Sequence, residues 1–293
     1  MKNKTKPNSA DNKHLIKLLN KKPIRFEENE FGVKTLAVID EKKIKGEKSL
    51  CSRLSPVKQV GNASNLLQIT FSHLFRMMYL FKELKNGQTI LDIGCGESET
   101  REFLYRNFLH TNYVGVEIAE GALVEAQKKK SKGSFLYVKS DINGGLHFKS
   151  KSFDFIIFLE VIEHIEENRA KELMLEIKRV LKPGGKVYIS TPDDEFASDL
   201  HKGTHVRQYT NDEMISIIKK SGFKLIETQG TGIRSKDLKK VISESHSELY
   251  EKLKGFFSTK ILNAIFSYLY PEKSHAKAWL IQKPLLKKKR RKK

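Results

Sequence analysis

The stretch that decides the fold is Ile90-Leu91-Asp92-Ile93-Gly94-Cys95-Gly96. Its branched apolar residues predict a buried strand, and its two glycines predict a sharp turn before a helix at 99–108. Glycine suits such a turn because a ligand can then approach the backbone closely. Glu99 occupies the place of the last glycine in the dinucleotide-binding fingerprint, so the turn favours a cationic or zwitterionic ligand over a pyrophosphate.

The sequence on both sides of this stretch predicts an α/β fold: a doubly wound, mostly parallel, seven-stranded Rossmann-like sheet with a helical insertion and an N-terminal accessory arm. Short apolar runs predict strands at 89–93, 113–118, 135–138, 153–158, 186–190, 223–227 and 276–281. Helical periodicity, caps and glycine stops predict helices at 64–84, 99–108, 166–181 and 210–222, and a helical insertion at 235–270.

The positive charge is concentrated at the two ends of the chain. Of the net charge of +20 on 293 residues, 1–60 carry +8 and 287–293 carry +7, which leaves +5 for 61–286. We therefore divide the chain into a basic, partly ordered N-terminal arm (1–60), a central domain (61–286) and a basic C-terminal tail (287–293). The N-terminal arm and the C-terminal tail are either electrostatic tethers for nucleic acid or solvated, lysine-rich ends. No pattern specifies an oligomeric state.

Two features of the composition bear on location. No apolar run reaches the length of about 18 residues that a membrane span requires, so we expect no transmembrane segment. Cys51 and Cys95 are too few for a disulfide framework and are expected to be reduced thiols. The sequence therefore predicts a cytoplasmic protein.

Two acidic residues follow predicted strands near the glycine turn. Glu117 ends the second of these strands, 21 residues after Gly96, and Asp141 follows the third. Nucleotide-binding folds place an acidic residue at the first of these positions, where it accepts hydrogen bonds from ribose hydroxyls. Such charge-assisted bonds contribute roughly 1.5–3 kcal/mol each, which is enough to select a ribose.

The ordered motifs resemble those of class I S-adenosylmethionine-dependent methyltransferases, over about 64–283. They are Asp92-Ile93-Gly94-Cys95-Gly96, Gly115-Val116-Glu117, Asp141-Ile142, Phe153-Asp154-Phe155-Ile156-Ile157 and Leu181-Lys182-Pro183-Gly184-Gly185. The resemblance implies S-adenosylmethionine as cofactor. It implies that Asp92, Gly94, Cys95 and Gly96 form the loop around its methionine part. It also implies that Glu117 holds the ribose, that Ile118, Asp141 and Ile142 hold the adenine, and that Glu160 faces the sulfonium.

A second segment, Glu160-Val161-Ile162-Glu163-His164, carries the candidate catalytic residues. Glu160, Glu163 and His164 share a face if this turn is helical, and His205 follows about forty residues later. The pattern resembles the metal site of small-RNA 2′-O-methyltransferases and of quinone-biosynthetic O-methyltransferases, with His201 as a rival ligand. Alternatively, His164 is a general base, oriented by Glu160 or Glu163, or a structural histidine.

The resemblance predicts O-methylation of a small-molecule or glycan-like acceptor, beneath a roof formed by 196–209 and 235–270. One alternative is an RNA 2′-O-methyltransferase that uses the basic ends as tethers. Another is a non-catalytic scaffold that binds the cofactor. The chain has no Pro-Cys nucleophile for cytosine C5, and Leu159-Glu160-Val161-Ile162 stands where base N-methylating enzymes carry Asn/Asp-Pro-Pro-aromatic. These departures disfavour base methylation.

Overall fold

The computed structural model describes residues 12–28, 34–40, 75–106, 110–129, 133–192, 205–233, 238, 242 and 247–285. Several sequence predictions lie outside the described residues: Cys51, His201, the first part of the helix predicted at 64–84, the roof at 196–204 and the basic tail at 287–293.

The described strands form one nine-stranded sheet in the order β1-β2-β5-β4-β3-β6-β7-β9-β8. They are β1 (Arg25–Glu28), β2 (Lys34–Val38), β3 (Thr89–Ile93), β4 (Asn112–Glu117), β5 (Phe135–Lys139), β6 (Phe153–Leu159), β7 (Leu181–Pro192), β8 (Lys224–Gly232) and β9 (Ala276–Gln282). β1 pairs antiparallel with β2, and β9 pairs antiparallel with β7 and β8. The mostly parallel α/β fold is therefore confirmed.

The predicted count of seven strands is wrong, because the N-terminal arm adds β1 and β2 to the sheet. β2 pairs in parallel with β5 through Leu36, Ala37 and Val38, and all three side chains are buried. β1 lies at the sheet edge with a single apolar residue, Phe26, so it carries no alternating apolar pattern. Pairing with β2, rather than burial of an apolar face, makes this segment a strand.

Helices cover both faces of the sheet. They are α1 (Lys13–Ile16), α2 (75–83), α3 (Glu99–Arg106), α4 (Glu120–Lys128), α5 (Glu167–Val180), α6 (Asn211–Lys220), α7 (Ser247–Lys254) and α8 (Thr259–Leu269). Single 3₁₀ turns lie at Ile142–Gly144, Ile162–His164 and Pro271–Lys273. The predicted capping box of α6 is present, with Thr210 and Glu213 each bonding the other's backbone N–H.

Two strands are longer than the sequence predicts. β7 begins at Leu181, because the segment interpreted as a helix stop continues into the sheet through Gly184 at φ +79°. β8 extends to Gly232, because β9 pairs with it along its length despite two shifts in register. The helix α8, which lies between β8 and β9 in the chain, packs closely on β8. A Cβ on Gly230 would lie 2.0 Å from the Ser267 carbonyl oxygen.

The core is divided by the sheet. A large apolar cluster lies on the side of α5 and α6, and a smaller one joins α2 and α3 to the opposite face.

The central parallel strands all end at one edge, where the backbone of Gly94, Glu117, Asp141 and Glu160 emerges. Ligands of doubly wound sheets bind at this edge.

Within the described residues, no helix combines the length and apolar character needed to cross a membrane.

Candidate active site

The glycine turn lies directly on the candidate catalytic segment. The backbone N–H groups of Gly94 and Cys95 donate to the Val116 carbonyl oxygen at 2.8 and 3.1 Å. Gly94 has φ +73°, and a Cβ placed on it would be 2.4 Å from Val161 Cγ2. Gly96 also has positive φ, at +51°. Glycine is therefore required at Gly94 for both conformation and space.

Glu117 is joined to this turn by its carboxylate. Glu117 Oε2 accepts from the Gly96 N–H at 3.2 Å, and Oε1 accepts from Ile118 and Ala119 N–H, both at 2.9 Å. The side chain is buried, and burial raises its pKa although the three backbone donors oppose the shift. The carboxylate therefore fixes the spacing between the ends of β3 and β4.

Asp92 lies beneath the turn. Tyr113 Oη donates to Asp92 Oδ2 at 2.6 Å, and Ser98 Oγ donates to Tyr113 Oη at 3.2 Å. Burial raises the pKa of Asp92 to about 7, against the lowering effect of hydrogen bonds from Tyr113 and Thr100. Sequence reasoning missed Tyr113, because its hydroxyl reaches Asp92 only once β3 and β4 are paired.

This buried carboxyl predicts a pH dependence of stability. Its pKa is raised from 3.8 to about 7, so the folded state holds the proton more tightly and stability falls as the pH rises. Between pH 5 and 8 we expect Asp92 alone to contribute a loss of about 2.5 kcal/mol. Asp92→Asn cannot titrate and should remove that loss. Glu117 and Glu163, whose pKa values are also raised, still lower the stability as the pH rises. Urea unfolding of both proteins at the two pH values measures it, and equal losses would contradict the assignment.

The three residues assigned to the adenine lie at the ends of β4 and β5. Asp141 is buried, and its Oδ1 accepts from the Asn143 N–H at 2.9 Å, which caps the 3₁₀ turn Ile142–Gly144. Ile118 and Ile142 are half-buried. Their side chains thus remain partly accessible next to the two buried acidic residues.

Glu160 is not part of the group of possible metal ligands that the other candidate catalytic residues form. It has φ +52°, an unusual conformation for a side chain with a Cβ. Its Oε1 accepts from Arg76 Nη1 at 3.0 Å and from Ser190 Oγ at 2.6 Å. Strained residues of this kind are common at functional sites. Arg76 and Ser190 were missed, because no local motif marks an arginine of α2 or a serine of β7 as a partner of β6.

Glu163, His164 and His205 are brought together. One ligand atom from each lies within 4.8 Å of the others, and the two imidazole rings are 5.0 Å apart at 71°. Glu160 is not part of this group, so three of the four predicted metal ligands converge. The backbone N–H groups of Val206 and Arg207 donate to the Glu163 carbonyl oxygen at 2.9 and 3.0 Å, which connects the two segments.

The three side chains differ in accessibility. Glu163 is fully buried, and its Oε2 accepts from Thr191 Oγ1 at 3.0 Å. Burial, reinforced by the negative charge of Glu160, raises the pKa of Glu163 well above its usual range. Both histidines are half-buried and can reach a ligand.

Arg207 fixes the segment that carries His205. Its guanidinium pairs with Glu167 at the start of α5 and with Glu213 in α6, the latter at 2.8 Å, and it lies 5.1 Å from the Tyr209 ring centroid. Tyr209 is completely buried in the main core. This arginine was not identified from the sequence, since its acidic partners Glu167 and Glu213 are recognisable only in the folded structure.

Residues 91–189 match the family model described as a methyltransferase domain. A protein of Methanocaldococcus jannaschii, the uncharacterized MJ1252, is 28% identical over 214 residues, which is 62% of this chain and 80% of that protein. Phosphoethanolamine N-methyltransferase 2 of Caenorhabditis elegans is 29% identical over 54% of this chain, and the small RNA 2′-O-methyltransferase of Arabidopsis thaliana is 31% identical over 46%. The matches span 37% and 16% of those two longer proteins.

The fold has solved counterparts. A SAM-dependent methyltransferase from Archaeoglobus fulgidus superposes with a TM-score of 0.52 at 19% identity, covering 76% of this chain and 100% of that one. The family resemblance drawn from the ordered motifs is thereby confirmed. The domain match at 91–189, together with the shared fold, supports an S-adenosylmethionine-dependent methyltransferase.

Proposed function

We propose that the protein transfers a methyl group from S-adenosylmethionine to a hydroxyl group of a small-molecule or glycan-like acceptor. The observation that supports this most is the pair of half-buried imidazoles of His164 and His205, 5.0 Å apart. His164 lies on the segment whose Val161 packs against Gly94 of the glycine turn. Imidazole is the side chain best suited to accept a proton from a hydroxyl near neutral pH.

The proposed cofactor site is the carboxyl edge from β3 to β5. The methionine part lies along Gly94, Cys95 and Gly96, the ribose on Glu117, and the adenine among Ile118, Asp141 and Ile142. Glu117 suits this task, because three backbone donors already orient its carboxylate at the glycine turn. S-adenosylmethionine supplies the activated methyl group when bound, so the protein contributes alignment, exclusion of water and a proton acceptor.

His164 is the proposed proton acceptor. Glu163 does not suit this role, because its side chain is buried and its carboxyl already accepts a hydrogen bond from Thr191. Glu163 instead anchors the turn through Thr191, and its backbone carbonyl ties His205 beside His164. His164 therefore takes the hydroxyl proton, while His205 shapes the acceptor side.

A transfer assay with methyl-labelled S-adenosylmethionine tests this proposal. Purified protein is incubated with matched catechol, sugar and primary amine acceptors, and labelled product is measured. We expect label on the hydroxyl compounds and little on the amine, because the site supplies a base for a hydroxyl. Label on the amine alone would overturn the O-methylation proposal. Cofactor binding without transfer to any acceptor would favour the non-catalytic scaffold.

A divalent cation at Glu163, His164 and His205 is a variant of the same proposal. Mixed oxygen and nitrogen donors suit such ions, and the three ligand atoms are close enough to converge. An ion binds the unprotonated forms of the carboxyl and the two imidazoles, so its occupancy rises with pH. The ion's chemistry at this place is to lower the pKa of an acceptor hydroxyl.

RNA is the second candidate acceptor. The similarity to a small RNA 2′-O-methyltransferase and the charge of +7 on 287–293 favour it. If RNA is the acceptor, its affinity falls steeply with added salt, with a slope that becomes shallower on removal of these basic residues. Binding of a short RNA is measured from 50 to 300 mM salt for the full and shortened chains. Equal slopes would leave the tail without a role in RNA binding.

A further inference from the structure

The N-terminal arm is attached to the strand that leads into the proposed adenine site. β2 pairs with β5 in a register that ends with Val38 opposite Lys139. The Ile39 and Asp40 N–H groups then donate to the Lys139 carbonyl oxygen at 3.0 and 3.4 Å. Asp141 follows two residues later. The arm therefore holds the chain immediately before the adenine-side turn.

A second part of the arm holds the chain immediately after that turn. The Asn20 N–H donates to the His147 carbonyl oxygen at 3.1 Å, and the Lys149 N–H donates to the Leu18 carbonyl oxygen at 2.8 Å. A bridge between Leu19 and Phe148 lies between these bonds, and both side chains are buried in the main core. The segment that carries Asp141 and Ile142 is thus fixed by the arm on both sides.

Side chains add a third connection. Glu120 is the first residue of α4, and its two carboxylate oxygens accept from Arg25 Nη2 at 2.5 Å and from Lys139 Nζ at 2.8 Å. The Lys139 side chain is only 4% exposed, so its charge requires a partner. Glu120 begins the helix that follows Ile118 and Ala119. The triad therefore joins the arm to the ends of both β4 and β5.

We infer that residues 12–28 and 34–40 support the adenosine part of the cofactor site, and that Arg25 and Glu120 are positioning residues for it. This inference rests on the proposed function. The ribose and adenine segments come from neighbouring strands, and a ligand that bridges them binds more weakly if they are not held in place beforehand. The basic arm then has a role in the folded enzyme that differs from an electrostatic tether.

The test measures binding of S-adenosylhomocysteine by calorimetry. We expect Arg25→Ala and Glu120→Gln to raise the dissociation constant about fivefold, since the pair is partly exposed and acts indirectly. Arg25→Lys should restore most of the affinity. Arg106→Ala is the matched control, because it removes another exposed arginine–glutamate pair, with Glu102 of α3, and should leave the affinity unchanged.

A double-mutant cycle separates positioning from general loss of stability. If the arm acts on the adenine turn, Arg25→Ala should have little further effect on affinity in an Asp141→Ala background. Additive effects, or an Arg25→Ala variant that binds as tightly as the wild type, would overturn the inference alone. Absence of binding by the folded wild type would instead overturn the proposed function, and the inference with it.

Discussion

Replacing His164 by alanine is expected to lower the turnover of methyl transfer by about 10²–10⁴ while leaving the affinity for S-adenosylmethionine unchanged. The reason is the position of the ring. His164 is half-buried beside His205, whereas the proposed cofactor contacts lie on the glycine turn and the ends of β4 and β5. Single-turnover rates and cofactor titration of the same preparation separate the two effects. A rate within a factor of about three of the wild type would contradict the role of general base.

Two comparisons make this result specific. His110→Ala removes an exposed histidine just before β4, at the opposite edge of the sheet, and should retain the wild-type rate. A chelator then separates a base from a metal ligand. If His164 acts as a base alone, wild-type activity survives the chelator. If it is a ligand, the chelator removes the activity, and His164→Ala also weakens binding of added Mn²⁺.

How well the sequence predicts a feature of this protein depends on how far apart in the chain the interacting residues lie. β3 begins and ends at the predicted residues, because a short apolar run that ends in a glycine turn is a local signal. The contact between Glu117 and the glycine turn was also foreseeable, since adjacent parallel strands end at the same edge. The two strands of the N-terminal arm could not be predicted in this way, because β1 and β2 are strands only through their pairing with each other and with β5.

The partners of the site residues follow the same rule. Arg76 is 84 residues from Glu160, and Thr191 is 28 residues from Glu163. No spacing rule connects such pairs, since α2 and β7 approach the site only through packing on the sheet. Glu160 is absent from the group of Glu163, His164 and His205 for a similar reason. Arg76 and Ser190 donate hydrogen bonds to its carboxylate, and no pattern in the sequence indicates that they do so.

Replacing Glu117 by alanine is expected to weaken binding of S-adenosylmethionine by more than about tenfold, because two charge-assisted bonds to the ribose are lost. The same change also releases three backbone donors at the glycine turn and so lowers stability. Asp154→Ala is a suitable control, since Asp154 accepts from the Thr89 N–H at 3.0 Å at the far edge of the sheet. It should lower stability without changing affinity. Calorimetry on both folded variants gives the dissociation constants, and near-normal binding by Glu117→Ala would remove the ribose assignment, together with the placement of the adenine that depends on it.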